Sequence, residues 1–114
     1  PLNRASLLYK LEEVAAGLTS MDTGIGNIML KEDFELLGFE QSNRVALCRA
    51  QKAVYTVISG DPDLLGERSW IENTLEYMQK NGYRLAGDIL TRYIGIFKTK
   101  SGERRFDEAW FPIM

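Results

Sequence analysis

The residues whose types and spacing lend themselves to chemistry lie at the end of the chain. There Glu108-Ala109-Trp110-Phe111-Pro112-Ile113 sets a carboxylate two positions before a tryptophan. In an extended strand the side chains at i and i+2 share a face, so Glu108 and Trp110 are expected to point the same way. An acid beside an aromatic plane suits a flat or bulky organic cation, through charge pairing and ring–cation attraction. The chain has no histidine and one cysteine, Cys48. A cysteine–histidine nucleophile and the commonest zinc sites are thereby excluded. No catalytic residue, metal or cofactor is expected, and Cys48 reads as a small buried apolar side chain.

Stepping outward, 114 residues suffice for one ordinary core and are too few for two large domains. The 45% hydrophobic and 26% charged residues are near globular averages, which argues against wholesale disorder. Fourteen basic and 16 acidic residues leave a formal charge of -2, with the basic ones scattered. Phosphate binding needs a clustered positive surface, so direct nucleic-acid binding by this chain is not expected. No apolar run approaches the roughly 20 residues that span a bilayer, and a lone cysteine cannot form an internal disulfide. A cytoplasmic protein without membrane contact is expected, as a monomer or a homodimer.

The elements that must position the acid and the aromatic follow from periodicity. Leu7, Leu11, Val14 and Leu18 recur at helical spacing, so the pattern predicts a helix over 4–18 that Gly17 weakens at its end. Residues 19–27 read as a loop, and 27–31 with 34–40 as a hairpin. Residues 44–59 predict a strand bent near 50–52, closed by a turn in which Asp61 and Asp63 act as local caps. Ser69-Trp70-Ile71-Glu72 has the form of a capping box, opening a helix that buries Ile71, Leu75 and Met78 and stops at Asn81-Gly82. Residues 83–98 and 105–113 then predict two strands joined through a turn at 100–103. The second half is thus a complete β-α-β-β unit, and the first half the same unit without its leading strand. Two such units pair into one antiparallel sheet with two helices on one face, an α+β fold of tandem β-α-β-β modules, the first incomplete.

With these pieces in order, the chain resembles the GyrI-like small-molecule-binding domain, the effector-binding part of MerR- and AraC-type transcription regulators. The likeness rests on Val54-Tyr55-Thr56-Val57 leading to Gly60-Asp61, the helix from Trp70 to Tyr77, and Asn81-Gly82-Tyr83. It continues through Gly87-Asp88-Ile89, Arg92-Tyr93-Ile94 and the closing Glu108-Ala109-Trp110-Phe111-Pro112-Ile113. It covers about 70 residues and implies a single domain over 1–114, with 1–42 a partial first module and 43–114 a complete second one. The opening at Pro1 suggests a piece of a longer protein with a separate DNA-binding domain. The resemblance also implies a pocket between the modules that takes a small hydrophobic or cationic ligand. Glu108 matches its acid, Trp110 the aromatic two positions on, and Tyr93 and Tyr55 tyrosines of neighbouring strands.

Each residue carries a plainer alternative. Glu108 reads equally as a solvated strand acid paired with Arg104 or Arg105, and Trp110, Tyr55 and Tyr93 as core. Alternation puts Tyr93 on the face of Gly95 and Phe97, where the glycine leaves room. Tyr9 reaches the pocket from the first helix or lies on the surface, and Trp70 is assigned to the core. A ligand-sensing, non-enzymatic module is the leading expectation. Some free-standing relatives in that family resemble hydrolases, in which Glu108 would act as a general base. A protein-binding inhibitor is the third possibility, and it predicts an exposed patch instead of a pocket.

Overall fold

Leu7 and Tyr9 alternate with Ser6 and Leu8, and in the computed structural model, which describes residues 4–28, 31–38 and 51–114, this alternation prevails over the helical spacing. Arg4–Tyr9 is a strand (β1), and only Leu11–Ala15 is helical (α1). The predicted helix over 4–18 is therefore split. Leu7 and Tyr9 are fully buried on one side of β1. The break falls at Lys10, whose backbone is extended, and the Asp88 carboxylate accepts from the Leu11 amide at 2.7 Å. A carboxylate at the first amides of a helix satisfies a free donor and complements the helix dipole. Here it comes from a residue far along the chain, which no local pattern reveals.

Gly24–Ile28 (β2) pairs antiparallel with β1, where a loop was predicted through residue 27. Lys31–Leu36 is a short helix (α2) with no buried residue, in place of the second strand of the predicted hairpin. Cys48 and the predicted bend over 50–52 fall wholly or partly outside the described residues, as does most of the strand expected from residue 44. What is described is Ala53–Gly60 (β3), followed by short 3-10 turns at Pro62–Leu64 and Arg68–Trp70. Asp61 caps the first of these by accepting from the Asp63 amide at 2.9 Å. Next come Glu72–Lys80 (α3) and the hairpin of Ile89–Thr99 (β4) with Gly102–Pro112 (β5).

The five strands form one antiparallel sheet in the order β2-β1-β4-β5-β3. The second half is the expected β-α-β-β unit. The first half is also short of such a unit among the described residues, but its leading strand is present as β1. What it lacks there is a last strand, and α2 follows β2 instead. The two halves join through two ladder positions, Leu8↔Leu90 and Tyr9↔Ile89. Beyond them hydroxyls bridge the strands: Thr91 Oγ1 accepts from the Leu7 amide at 2.9 Å, and Ser6 Oγ donates to the Thr91 carbonyl.

One face of the sheet carries the core. Val14 of α1 and Met78 of α3, with Trp70 and Ile71 just before α3, pack on Leu7, Tyr9, Ile58, Ile89, Ala109 and Phe111. Burying such side chains contributes on the order of 2 kcal/mol each. Leu75 packs against the same cluster, so the predicted stripe of α3 is the one buried. The predicted capping box does not form, because Ser69 lies inside the 3-10 turn and the cap position is Ile71. Glu72 instead accepts from Arg68 Nε at 2.9 Å, while Arg68 Nη1 donates to the Val14 carbonyl at 3.0 Å, tying α3 to the end of α1. Gly82, with φ of 74°, follows α3 as expected. Gly60 is fixed by contact, since a Cβ there would overlap the Trp70 ring.

Candidate functional site

Alternation along β5 turns successive carboxylates to opposite faces of the sheet. Asp107, Ala109 and Phe111 face the helices and are fully buried. Glu108 and Trp110 face the other way, as the two-residue spacing predicts. The rows across this second face follow from the register. Leu8, Leu90, Trp110 and Tyr55 stand side by side, and Arg92, Glu108 and Val57 form the next row. α1 and α3 direct their buried residues to the opposite face, and on this one Tyr55 and Val57 are each about half exposed.

The chemistry of the open face centres on the Glu108 carboxylate. Oε1 accepts from the Tyr55 hydroxyl at 3.0 Å, and Oε2 accepts from Arg92 Nε at 2.7 Å. The hydrogen bond to Glu108 is the main reason the Tyr55 phenol is held above its usual pKa, since ionisation would lose that donor. The Tyr55 ring lies 5.6 Å from that of Trp110 at a tilt of 50°. The Arg92 guanidinium carbon stands 5.6 Å from the Trp110 ring centroid, within cation–π range. An acid, a base, a phenol and an indole thus share one partly exposed patch. Tyr55 and Val57 also border a shallow depression of about 420 Å³ between β3 and α3.

Three of the five candidate residues, Glu108, Trp110 and Tyr55, are brought together, and the other two are not. Tyr93 and Tyr9 lie on the helix side. The cause for Tyr93 is a bulge, where Tyr93↔Asp107 is followed by Gly95↔Phe106 with Ile94 unpaired between them. Carried unbroken from Thr99↔Gly102, the hairpin register would set Tyr93 opposite Glu108. The extra residue sets Arg92 there and turns Tyr93 to the other face. The room expected above Gly95 is taken by the Phe97 ring, whose nearest carbon is 3.1 Å from where a Cβ would stand.

On the helix side lies a polar cluster that sequence reasoning missed. Asp107 is fully buried and accepts from Arg105 Nε at 2.7 Å, Arg105 Nη2 at 3.1 Å and Thr91 Oγ1 at 2.8 Å. Arg105 covers the Tyr93 ring, its guanidinium carbon 4.9 Å from the centroid. Tyr9 is fully buried, and its hydroxyl has no hydrogen-bond partner among the described residues. Burial, and then the charge of Asp107, raise its phenol well above the usual tyrosine range, against the opposing pull of Arg105. The plainer reading paired Glu108 with Arg104 or Arg105, but Arg105 pairs with Asp107. Arg104 donates to Ser59 Oγ at 2.9 Å. The signal for Arg92 was present in the cross-strand register but hidden by the bulge.

The arrangement can hold a flat ring against Trp110 and Tyr55 and match a charge at Glu108 or Arg92. Among the described residues, no helix is long and apolar enough to cross a membrane. Compared with known proteins, the chain matches no protein-family model, no curated protein and no solved structure.

Proposed function

We propose that this chain is a small-molecule-binding domain of the GyrI-like effector type, taking a flat hydrophobic ligand on the open face of its sheet. The ligand ring stacks on Trp110 beside Tyr55, and a cationic group on it meets the Glu108 carboxylate. The observation that carries this reading is the Tyr55–Glu108–Trp110 grouping on a solvent-accessible sheet face, with the two rings 5.6 Å apart. The β3-α3-β4-β5 order supports the kinship. In a longer regulator, occupancy would bias a DNA-binding domain only if the ligand prefers one of two arrangements. The narrow β1–β4 junction is the natural place for such a difference.

Acridine, uncharged at mildly alkaline pH, and the permanent cation N-methylacridinium give a matched pair of probes. Titration followed by the fluorescence of the acridine itself should show saturable binding that Trp110→Leu abolishes for both. Glu108→Gln should weaken only the cation. Binding that survives Trp110→Leu unchanged would place any ligand elsewhere and end the proposal.

A further inference from the structure

Resting on the open face of the sheet as the ligand site, the geometry points to Arg92 as a built-in competitor cation that sets the charge specificity of that site. A ligand cation would need two contacts, an acid and an aromatic plane. Arg92 already holds both, with Nε 2.7 Å from Glu108 Oε2 and its guanidinium carbon 5.6 Å from the Trp110 centroid. It stands there because the bulge at Ile94 shifts the register by one residue. Without that residue the neutral Tyr93, and not Arg92, would stand opposite Glu108.

Exposure shows which partner can give way. The Arg92 side chain is 43% exposed and that of Glu108 21%, so the arginine is the outer member of the pair. A long, half-exposed arginine can leave a cross-strand pair at modest cost, because such pairs are screened and gain little in water. A flat cation therefore has to displace Arg92 from both the carboxylate and the indole, whereas an uncharged ring competes with it for the indole alone. A flat aromatic carboxylate would find the guanidinium already placed beside the indole, in a geometry suited to charge-assisted hydrogen bonding. The face thus takes planar aromatic ligands, and a cationic one binds only by opening the Arg92–Glu108 pair.

The test compares acridine, N-methylacridinium and acridine-9-carboxylate on the wild-type chain, Arg92→Gln, Arg92→Lys and Arg92→Gln/Glu108→Gln, by fluorescence titration. Arg92→Gln should bind N-methylacridinium about two- to fivefold more tightly, the range set by releasing a partly exposed ion pair. It should bind the carboxylate more weakly and change acridine by a smaller factor than the cation. Arg92→Lys, which keeps the charge but not the planar fork, should disfavour the cation as the wild type does while binding the carboxylate less tightly, and the double variant should lose the gain. Unchanged or weaker cation binding in Arg92→Gln, with acridine still bound, overturns the role of Arg92 alone. No binding of acridine to the wild type overturns the open-face site and this inference with it.

Discussion

Asp107 and Glu108 are neighbouring carboxylates, each paired with an arginine, and their removal should cost very different amounts. Asp107 is fully buried, the Arg105 side chain is 12% exposed, and the carboxylate receives three hydrogen bonds. Asp107→Leu keeps the branched shape but leaves the guanidinium buried without its acid, a loss of about 3–5 kcal/mol. Domains of this kind hold roughly 5–15 kcal/mol in all, so the variant should be marginal. Its melting temperature should fall by about 10–20 °C. Glu108→Gln breaks a pair in which Arg92 is 43% exposed. Solvent screening reduces that loss to about 1 kcal/mol or less. Urea unfolding followed by circular dichroism measures both. Asp107→Leu/Arg105→Met should recover much of the loss, because both charges are then gone. Equal costs for Asp107→Leu and Glu108→Gln would refute the assignment of the two carboxylates to opposite faces.

Gly60→Ala should destabilise by about 1–3 kcal/mol and shift the Trp70 emission to the red, since the added methyl must push the indole from its place over β3. Tyr9→Phe should be neutral or stabilise by about 1 kcal/mol, because it deletes a buried hydroxyl without a partner among the described residues. The phenol of Tyr9 is raised in the folded state, so its contribution is complete below about pH 10, the unfolded value, and is lost as pH climbs further. Alkaline unfolding should therefore set in at higher pH for Tyr9→Phe than for the wild type; coincident curves would remove Tyr9 from the account.

The second half of the fold was largely legible because its signals are local. The stripe of Ile71, Leu75 and Met78, the stop at Asn81-Gly82 and the turn before Gly102 each lie within a few residues of what they determine. So does the shared face of Glu108 and Trp110. The first half misled because Leu7, Leu11 and Val14 fit a helix as well as Leu7 and Tyr9 fit a strand. The choice is made by β4, whose Thr91 and Asp88 reach back to β1 and α1. The apparent capping box failed for a similar reason, since Glu72 is taken by Arg68. The site was half legible. Two-residue alternation found Glu108 and Trp110, but one unpaired residue, Ile94, exchanged Tyr93 for Arg92 and turned a candidate pocket wall toward Asp107. A bulge has no strong composition signal, and every side chain beyond it changes face.

The central claim is that ligands dock on the Trp110 face and not on the helix face, and the two tryptophans report on one side each. Trp110 lies on the open face, while Trp70 is buried over Gly60 with its indole nitrogen donating to the Leu64 carbonyl at 3.0 Å. A nitrogen-15 correlation spectrum recorded through an acridine titration resolves the two indole signals. The Trp110 signal should move progressively to saturation while that of Trp70 stays in place. Movement of Trp70 with Trp110 unchanged would contradict the account.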